Sequence, residues 1–297
     1  MKRTTLFLFL ESALTILFMN DLKALYFYAD KSPYSGLYSY ILFVPFVSGF
    51  IFFIKRKEIF KETTFSIKAA IAPIFLGLGL LAYGKFFAHG LNQNDYLTVV
   101  TSAWLVLSIS FFIAIFGVSS FKKALFPLLF LFFMVPLPSK LLSAYVYFLQ
   151  KGSEEVSYIL FQLVGVPIYR DNNVFQLANF NMEVARECSG IRSSIGLWIT
   201  ALLTAYFVLE KTWYRILALS VVIPIAIFKN GIRIVTLGLL ASYVDPIYIT
   251  NHWLHKSGGI LFFSVSLLML FFPWVFFLRS REVKEHKMVT EKSFEKL

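Results

Sequence analysis

Long apolar runs alternate with short polar links along the whole chain. A helix crosses a bilayer in about 20 mostly apolar residues. Eight runs meet that length or come close: 4–22, 37–54, 65–84, 96–117, 121–138, 188–209, 213–243 and 257–278. The first carries Glu11 inside it. It lacks a small-residue cleavage site after Met1-Lys2-Arg3, so it reads as a retained span rather than a signal peptide. The seventh is too long for one straight crossing, at about 46 Å for helix of 1.5 Å rise. Pro224, Gly231 and Gly238 are its candidate kink points. Between the fifth and sixth runs lies the longest link. It opens at Pro136-Leu137-Pro138, a helix stop. Residues 140–164 then place Lys151, Glu154 and Glu155 among apolar residues at helical spacing, which predicts an interfacial amphipathic helix. Residues 168–184 combine turn residues with partial alternation, which predicts a short hairpin or extended segment.

The expected fold is therefore an all-α polytopic membrane bundle of about eight transmembrane helices. An outer amphipathic helix and a short extended segment near 168–184 complete it. No internal repeat is present. The pattern reads as a single transmembrane domain over 1–278 followed by a basic cytoplasmic tail at 279–297. Composition agrees: 58% of the 297 residues are hydrophobic and only 15% charged, too few charges to coat a water-exposed globule. One cysteine excludes an intrachain disulfide and any Cys-x-x-Cys site. The net charge of +11 carries no nucleic-acid motif with it, and no nucleic-acid partner is implied. Lys55, Arg56, Lys57, Lys61, Lys122, Lys123, Lys211, Arg215 and the tail cations fall on one set of loops, which the positive-inside rule assigns to the cytoplasm. Both termini are then expected inside the cell membrane, and residues 139–187 outside.

Ionisable groups at membrane depth are costly and mark function. Three clusters stand near the outer ends of late spans. Arg186-Glu187-Cys188-Ser189-Gly190-Ile191-Arg192 opens the sixth span. A lone cysteine is ordinarily a small buried residue. Here a helix N-terminus favours a thiolate, and Arg192, four residues on, adds positive charge. Lys229-Asn230-Gly231-Ile232-Arg233 lies in the middle of the seventh span. Arg233 is a permanent cation suited to a thiolate or an oxyanion. Asn230 is a hydrogen-bonding candidate. Asn251-His252-Trp253-Leu254-His255 precedes the eighth span and supplies a side chain that titrates near neutrality. His252 and His255 have no accompanying carboxylate or thiolate set, so neither a metal nor any other cofactor is expected.

These motifs resemble the exosortase/archaeosortase family. Cys188-Ser189-Gly190-Ile191-Arg192-Ser193, Asn230-Gly231-Ile232-Arg233, and His255 followed by Gly259 occur in the family's order. Phe133-Met134-Val135-Pro136-Leu137-Pro138, Val164-Gly165-Val166-Pro167 and Ile223-Pro224-Ile225-Ala226 also resemble family landmarks, and the likeness is strongest over 95–278. His at the third position is similar to bacterial members. Glu187 directly before Cys188 departs from the common pattern, which leaves the substrate motif open. The resemblance implies a membrane-embedded cysteine protease or transpeptidase with Cys188 as nucleophile and Arg233 and His255 as its partners. Asn230, Ser189, Gly190 and Arg192 are candidates for supporting those three groups or positioning the substrate. It implies partners too: exported proteins ending in a signature motif, one transmembrane helix and a basic cluster, cleaved at the outer face, with a glycan or lipid amine as a possible acceptor in the surrounding membrane lipid. The competing expectation is a transporter or scaffold for surface polysaccharide export.

Overall fold

The computed structural model describes residues 3–31, 35–87, 90–171, 173–177, 180–250 and 259–294. His252 and His255 lie outside these residues. The described chain is helical apart from one small sheet. Its helices are α1 (Arg3–Leu17), α2 (Met19–Lys31), α3 (Ser35–Tyr38), α4 (Val44–Ile59), α5 (Ile67–Phe86), α6 (Gln93–Lys123), α7 (Leu125–Phe130), α8 (Ser139–Leu163), α9 (Ile191–Val208), α10 (Thr212–Ser220), α11 (Val222–Tyr243) and α12 (Ile247–Thr250). Helix α13 (Gly259–Ser266) passes through a π-helical turn at Leu267–Phe271 into α14 (Phe272–Phe294). Six segments have the length and hydropathy of a membrane span, or eight if two bent helix pairs each count as one. The chain forms two compact units, Met1–Leu142 and Ser143–Leu297.

In the first unit α5 and α6 pack antiparallel at glycine distance. A Cβ on Gly77 would lie 2.7 Å from Leu107 Cγ, and one on Gly84 would meet Val99 and Val100. Helix α6 is broken at Gly117, whose φ of 88° suits only glycine. The break frees carbonyls that the 64–66 link satisfies: Thr64 N donates to Phe116 O and Ser66 N to Ala114 O. The expected fifth span, 121–138, is not one helix. Its helical part ends with a 3-10 turn at Leu131–Met134, and Pro136 and Pro138 stop it there. That stop is held by Asn94, which donates to Leu137 O at 2.6 Å. Glu11, inside the first expected span, accepts from Ser108 at 2.7 Å. Phe43, Phe46, Phe50 and Phe53 point outward along one helical face, as a lipid-facing stripe requires.

In the second unit the amphipathicity of α8 is inverted relative to a helix in water. Gln150, Ser153, Glu154 and Ser157 are buried, whereas Leu141, Tyr147, Phe148, Ile159 and Leu163 are exposed. Helix α8 crosses α11 with the two chains running in the same sense. Gly152 meets Ile227, Ser153 meets Asn230, Val156 meets Gly231 and Phe161 meets Gly238. It therefore turns its polar face onto a span where the two cross. The 168–184 segment is a three-stranded antiparallel meander of β1 (Ile168–Asp171), β2 (Val174–Leu177) and β3 (Phe180–Glu183). Phe175, Leu177, Met182 and Val184 pack with Phe161 of α8 and with Ile234 and Val235 of α11. The long seventh span divides at Val221, so Pro224 falls in the first turn of α11, where its missing N–H costs no hydrogen bond. Residues 279–294 continue α14. Arg279 pairs there with Glu210 and Glu282, and buried Glu282 accepts from the Glu210 and Lys211 amides of the preceding link.

The α8–α11 seam yields a stability prediction. A Cβ on Gly231 would lie 2.5 Å from Val156 Cγ1, whereas one on Gly79 would meet nothing within 4 Å. Gly231→Ala is expected to cost about 1–3 kcal/mol, the usual penalty of overpacking. Thermal unfolding in detergent checks it: the Gly231 variant melts earlier and Gly79→Ala melts with the wild type.

Candidate active site

Chain geometry around Cys188 is set by two short devices. The link after β3 ends in a 3-10 turn, Arg186–Ser189, in which Cys188 N donates to Ala185 O at 2.9 Å. Gly190 follows with φ 74°, ψ 16°, and serves as the N-cap of α9. This left-handed residue lets the turn join the helix within one position. Glycine is also required by space, since a Cβ there would approach Asn230 Oδ1 to 2.9 Å. Cys188 thus stands two residues before the positive end of α9, half-buried against the cluster of Phe161, Val184, Ile234 and Val235.

Helix α11 holds this turn from beneath. Asn230 is fully buried, and both of its amide protons are used: Nδ2 donates to Cys188 O at 2.7 Å and to Ser153 Oγ at 3.0 Å. Asn230 Oδ1 and the Ser189 hydroxyl are buried without a hydrogen-bond partner among the described residues. Ser157 Oγ donates to Ser153 O, and Gln150 Nε2 donates to Val184 O at 2.6 Å. The buried polar stripe of α8 therefore supports the strand end and the turn that carry the cysteine. One residue before Asn230, buried Lys229 donates to Ser193 Oγ, and Ser193 Oγ donates to Gly190 O at 3.0 Å. One helical turn beyond Lys229, half-buried Arg233 lies within electrostatic range of Cys188 and of Arg192. Arg192 itself is exposed.

A second polar group sits where the sheet meets α8. Glu154 is fully buried. Its Oε2 pairs with Lys151 at 2.8 Å and lies 3.6 Å from Arg170 of β1, which also pairs with Glu155 at 2.8 Å. Arg170 outside the helices has its protonated form further stabilised, first by the hydrogen bond to Glu155.

The structure thus brings Cys188, Ser189, Gly190, Asn230 and Arg233 of the sequence-derived set into one region, with Arg192 at its edge. His255 lies outside the described residues. Sequence reading did not single out Ser153 or Gln150, nor Lys229 and Ser193 apart from their motifs. A usable signal existed in the 150–157 stretch: polar residues three or four apart in a helix otherwise apolar, which marks an inward face when the solvent is lipid.

No curated protein and no solved structure matches the chain. A family model described as transmembrane exosortase matches residues 32–272. That match covers most of the chain, including every element around Cys188. Together with the membrane-length helices, it establishes a multi-pass membrane protein and a member of the transmembrane exosortase family, sorting enzymes of the transpeptidase type that act on proteins bearing sorting signals.

Proposed function

We propose that the protein is a cysteine transpeptidase that severs the C-terminal sorting tail of exported proteins at the outer face of the membrane. One observation carries this reading: a half-buried cysteine two residues before the positive end of α9 lies within electrostatic range of a permanent cation on α11. The Cys188 thiolate attacks the scissile carbonyl, and His255 takes up the thiol proton. The tetrahedral intermediate collapses by breaking its C–N bond, and His255 returns the proton to the leaving amine. Arg233 supports the thiolate and then the oxyanion. A thioester remains on Cys188 until water, or the amine of a surface glycan or lipid, attacks it and releases the thiol. Enzyme and substrate helix already share the bilayer, so positioning the scissile bond costs less orientational freedom than it would in water.

The positive-inside distribution of basic residues supports cytoplasmic termini and an outer site. Asn230 and Gly190 keep the turn in place, and the Ser189 hydroxyl and exposed Arg192 are the groups left to meet the entering segment.

Co-expression with a protein from the same organism that ends in a signature, a single apolar helix and a basic cluster tests the reaction. A hydroxylamine-sensitive adduct on the peptide containing Cys188 is expected in mass spectra. Intact tail with no adduct would falsify the proposal. His255→Ala is expected to lower processing about 10²–10⁴-fold, the range for general acid–base groups, and His252→Ala to leave it within a few-fold. The opposite ranking moves the base to His252.

A further inference from the structure

The polar groups of α11 divide their work unevenly, and Lys229 has no part in the reaction as written above. A lysine with 5% exposure in the middle of a span is expensive, and its neighbour one turn on is another cation, Arg233. Such a residue is tolerated where its hydrogen bonds accomplish something. Its ammonium donates to Ser193 Oγ, on the first turn of α9. Ser193 in turn passes its own proton to Gly190 O. Gly190 is the left-handed joint between the Cys188 turn and α9. The next residue of α11, Asn230, holds the other end of the same turn through Cys188 O.

We infer that Lys229 is a positioning residue for Cys188, acting through Ser193 on the Gly190 carbonyl, so that Lys229 and Asn230 grip the two ends of the nucleophile turn from adjacent positions of one helix. The inference deepens the proposed reaction and rests on Cys188 being its nucleophile. Its physical content is directional. A thiol gains thiolate character only while its turn stays in register with the positive end of the helix. Asn230 holds Cys188 O directly from α11, and Lys229 fixes the Ser193 hydroxyl that adds a second donor to Gly190 O beside the Ser194 amide at 2.9 Å. Releasing either hold lets the joint at Gly190 relax, because glycine resists rotation less than any other residue. The Lys229 clamp is indirect, so the Ser193 hydroxyl is as necessary to it as the ammonium.

The chain has one cysteine, so its alkylation reports this turn alone. The experiment follows iodoacetamide modification of the full-length protein in detergent from pH 6 to 10, with thermal unfolding measured in parallel. It compares the wild type, Lys229→Met, Ser193→Ala, Ser193→Thr and the Lys229→Met/Ser193→Ala double variant. Arg192 and Arg233, the latter within electrostatic range of Cys188, stay in place throughout. Lys229→Met and Ser193→Ala are each expected to slow alkylation at pH 7 about fivefold or more and to move the pH profile upward. The double variant is expected to be no slower than the slower single one. Ser193→Thr keeps the hydroxyl and is expected within about twofold of wild type. Slowing by Lys229→Met with normal reactivity of Ser193→Ala overturns the relay, since the lysine then acts through its charge alone. Faster alkylation with an earlier melt in both single variants also overturns it, because Lys229 is then a packing residue. Neither result touches the nucleophile assignment, which depends on tail processing.

Discussion

Cys188→Ala is expected to abolish processing of a tail-bearing partner. Nothing else in the chain can replace its sulfur, because Cys188 is the one cysteine. Loss of a covalent nucleophile in a comparable acyl-transfer site lowers turnover by about 10⁶, so cleavage should fall below detection in a cellular assay. The substitution removes a single atom from a half-buried position. The turn is held by backbone groups, the Cys188 amide and carbonyl among them, and these survive the change. The variant should therefore insert and accumulate as wild type does, measured by membrane fractionation. Cys188→Ser tests the same point more finely. It keeps size and hydrogen bonding, but a serine hydroxyl is far less acidic than a thiol, so a helix terminus and a nearby cation do not hold it ionised near neutral pH. Processing by either variant at the wild-type rate would remove Cys188 from the reaction.

The second large effect is expected at Arg233. Arg233→Gln should lower kcat/KM about 10²–10³-fold, the cost of deleting one group that stabilises a developing oxyanion. Arg233→Lys is informative because it preserves the charge. An ammonium is a compact, strongly hydrated point charge without the planar fork of a guanidinium. A recovery of no more than about tenfold over glutamine is expected if the fork matters, and full recovery if charge alone suffices. Either measurement needs Cys188 alkylation alongside it. If Arg233 supports the thiolate, its loss slows alkylation too. If it supports only the oxyanion, processing falls while alkylation stays near wild type. Processing unchanged in both variants would leave Arg233 a structural cation.

These tests focus on a small region that sequence reading located only in part. Cys188, Asn230 and Arg233 were legible because each violates the local solvent. They are polar or reactive groups at the ends or centres of apolar runs, and such positions have few structural uses. The helical spans were legible for the same reason, since their length and hydropathy answer directly to bilayer thickness. The role of α8 was not legible. Its composition suits either a helix lying at the interface or one embedded with its polar side inward. Gln150, Ser153, Glu154 and Ser157 occupy one face in both cases, and only their neighbours decide between them. The split of α6 at Gly117 was equally hidden, because it depends on Thr64 and Ser66, over fifty residues earlier, supplying donors to the freed carbonyls.

By itself the sequence determined that this is a polytopic helical membrane protein, and it singled out one cysteine and one arginine within apolar runs as candidates for its chemistry. Those properties follow from residue type and local spacing, which lipid reads without reference to the rest of the fold. Tertiary structure alone decided which partners hold that cysteine. Asn230 and the Lys229–Ser193 pair reach it across 36 to 42 residues of chain. The buried seam of α8 meets α11 from more than seventy residues away. Such contacts depend on the close crossing at Gly152, Gly231 and Gly238, and no local pattern encodes which two glycine-bearing helices will approach.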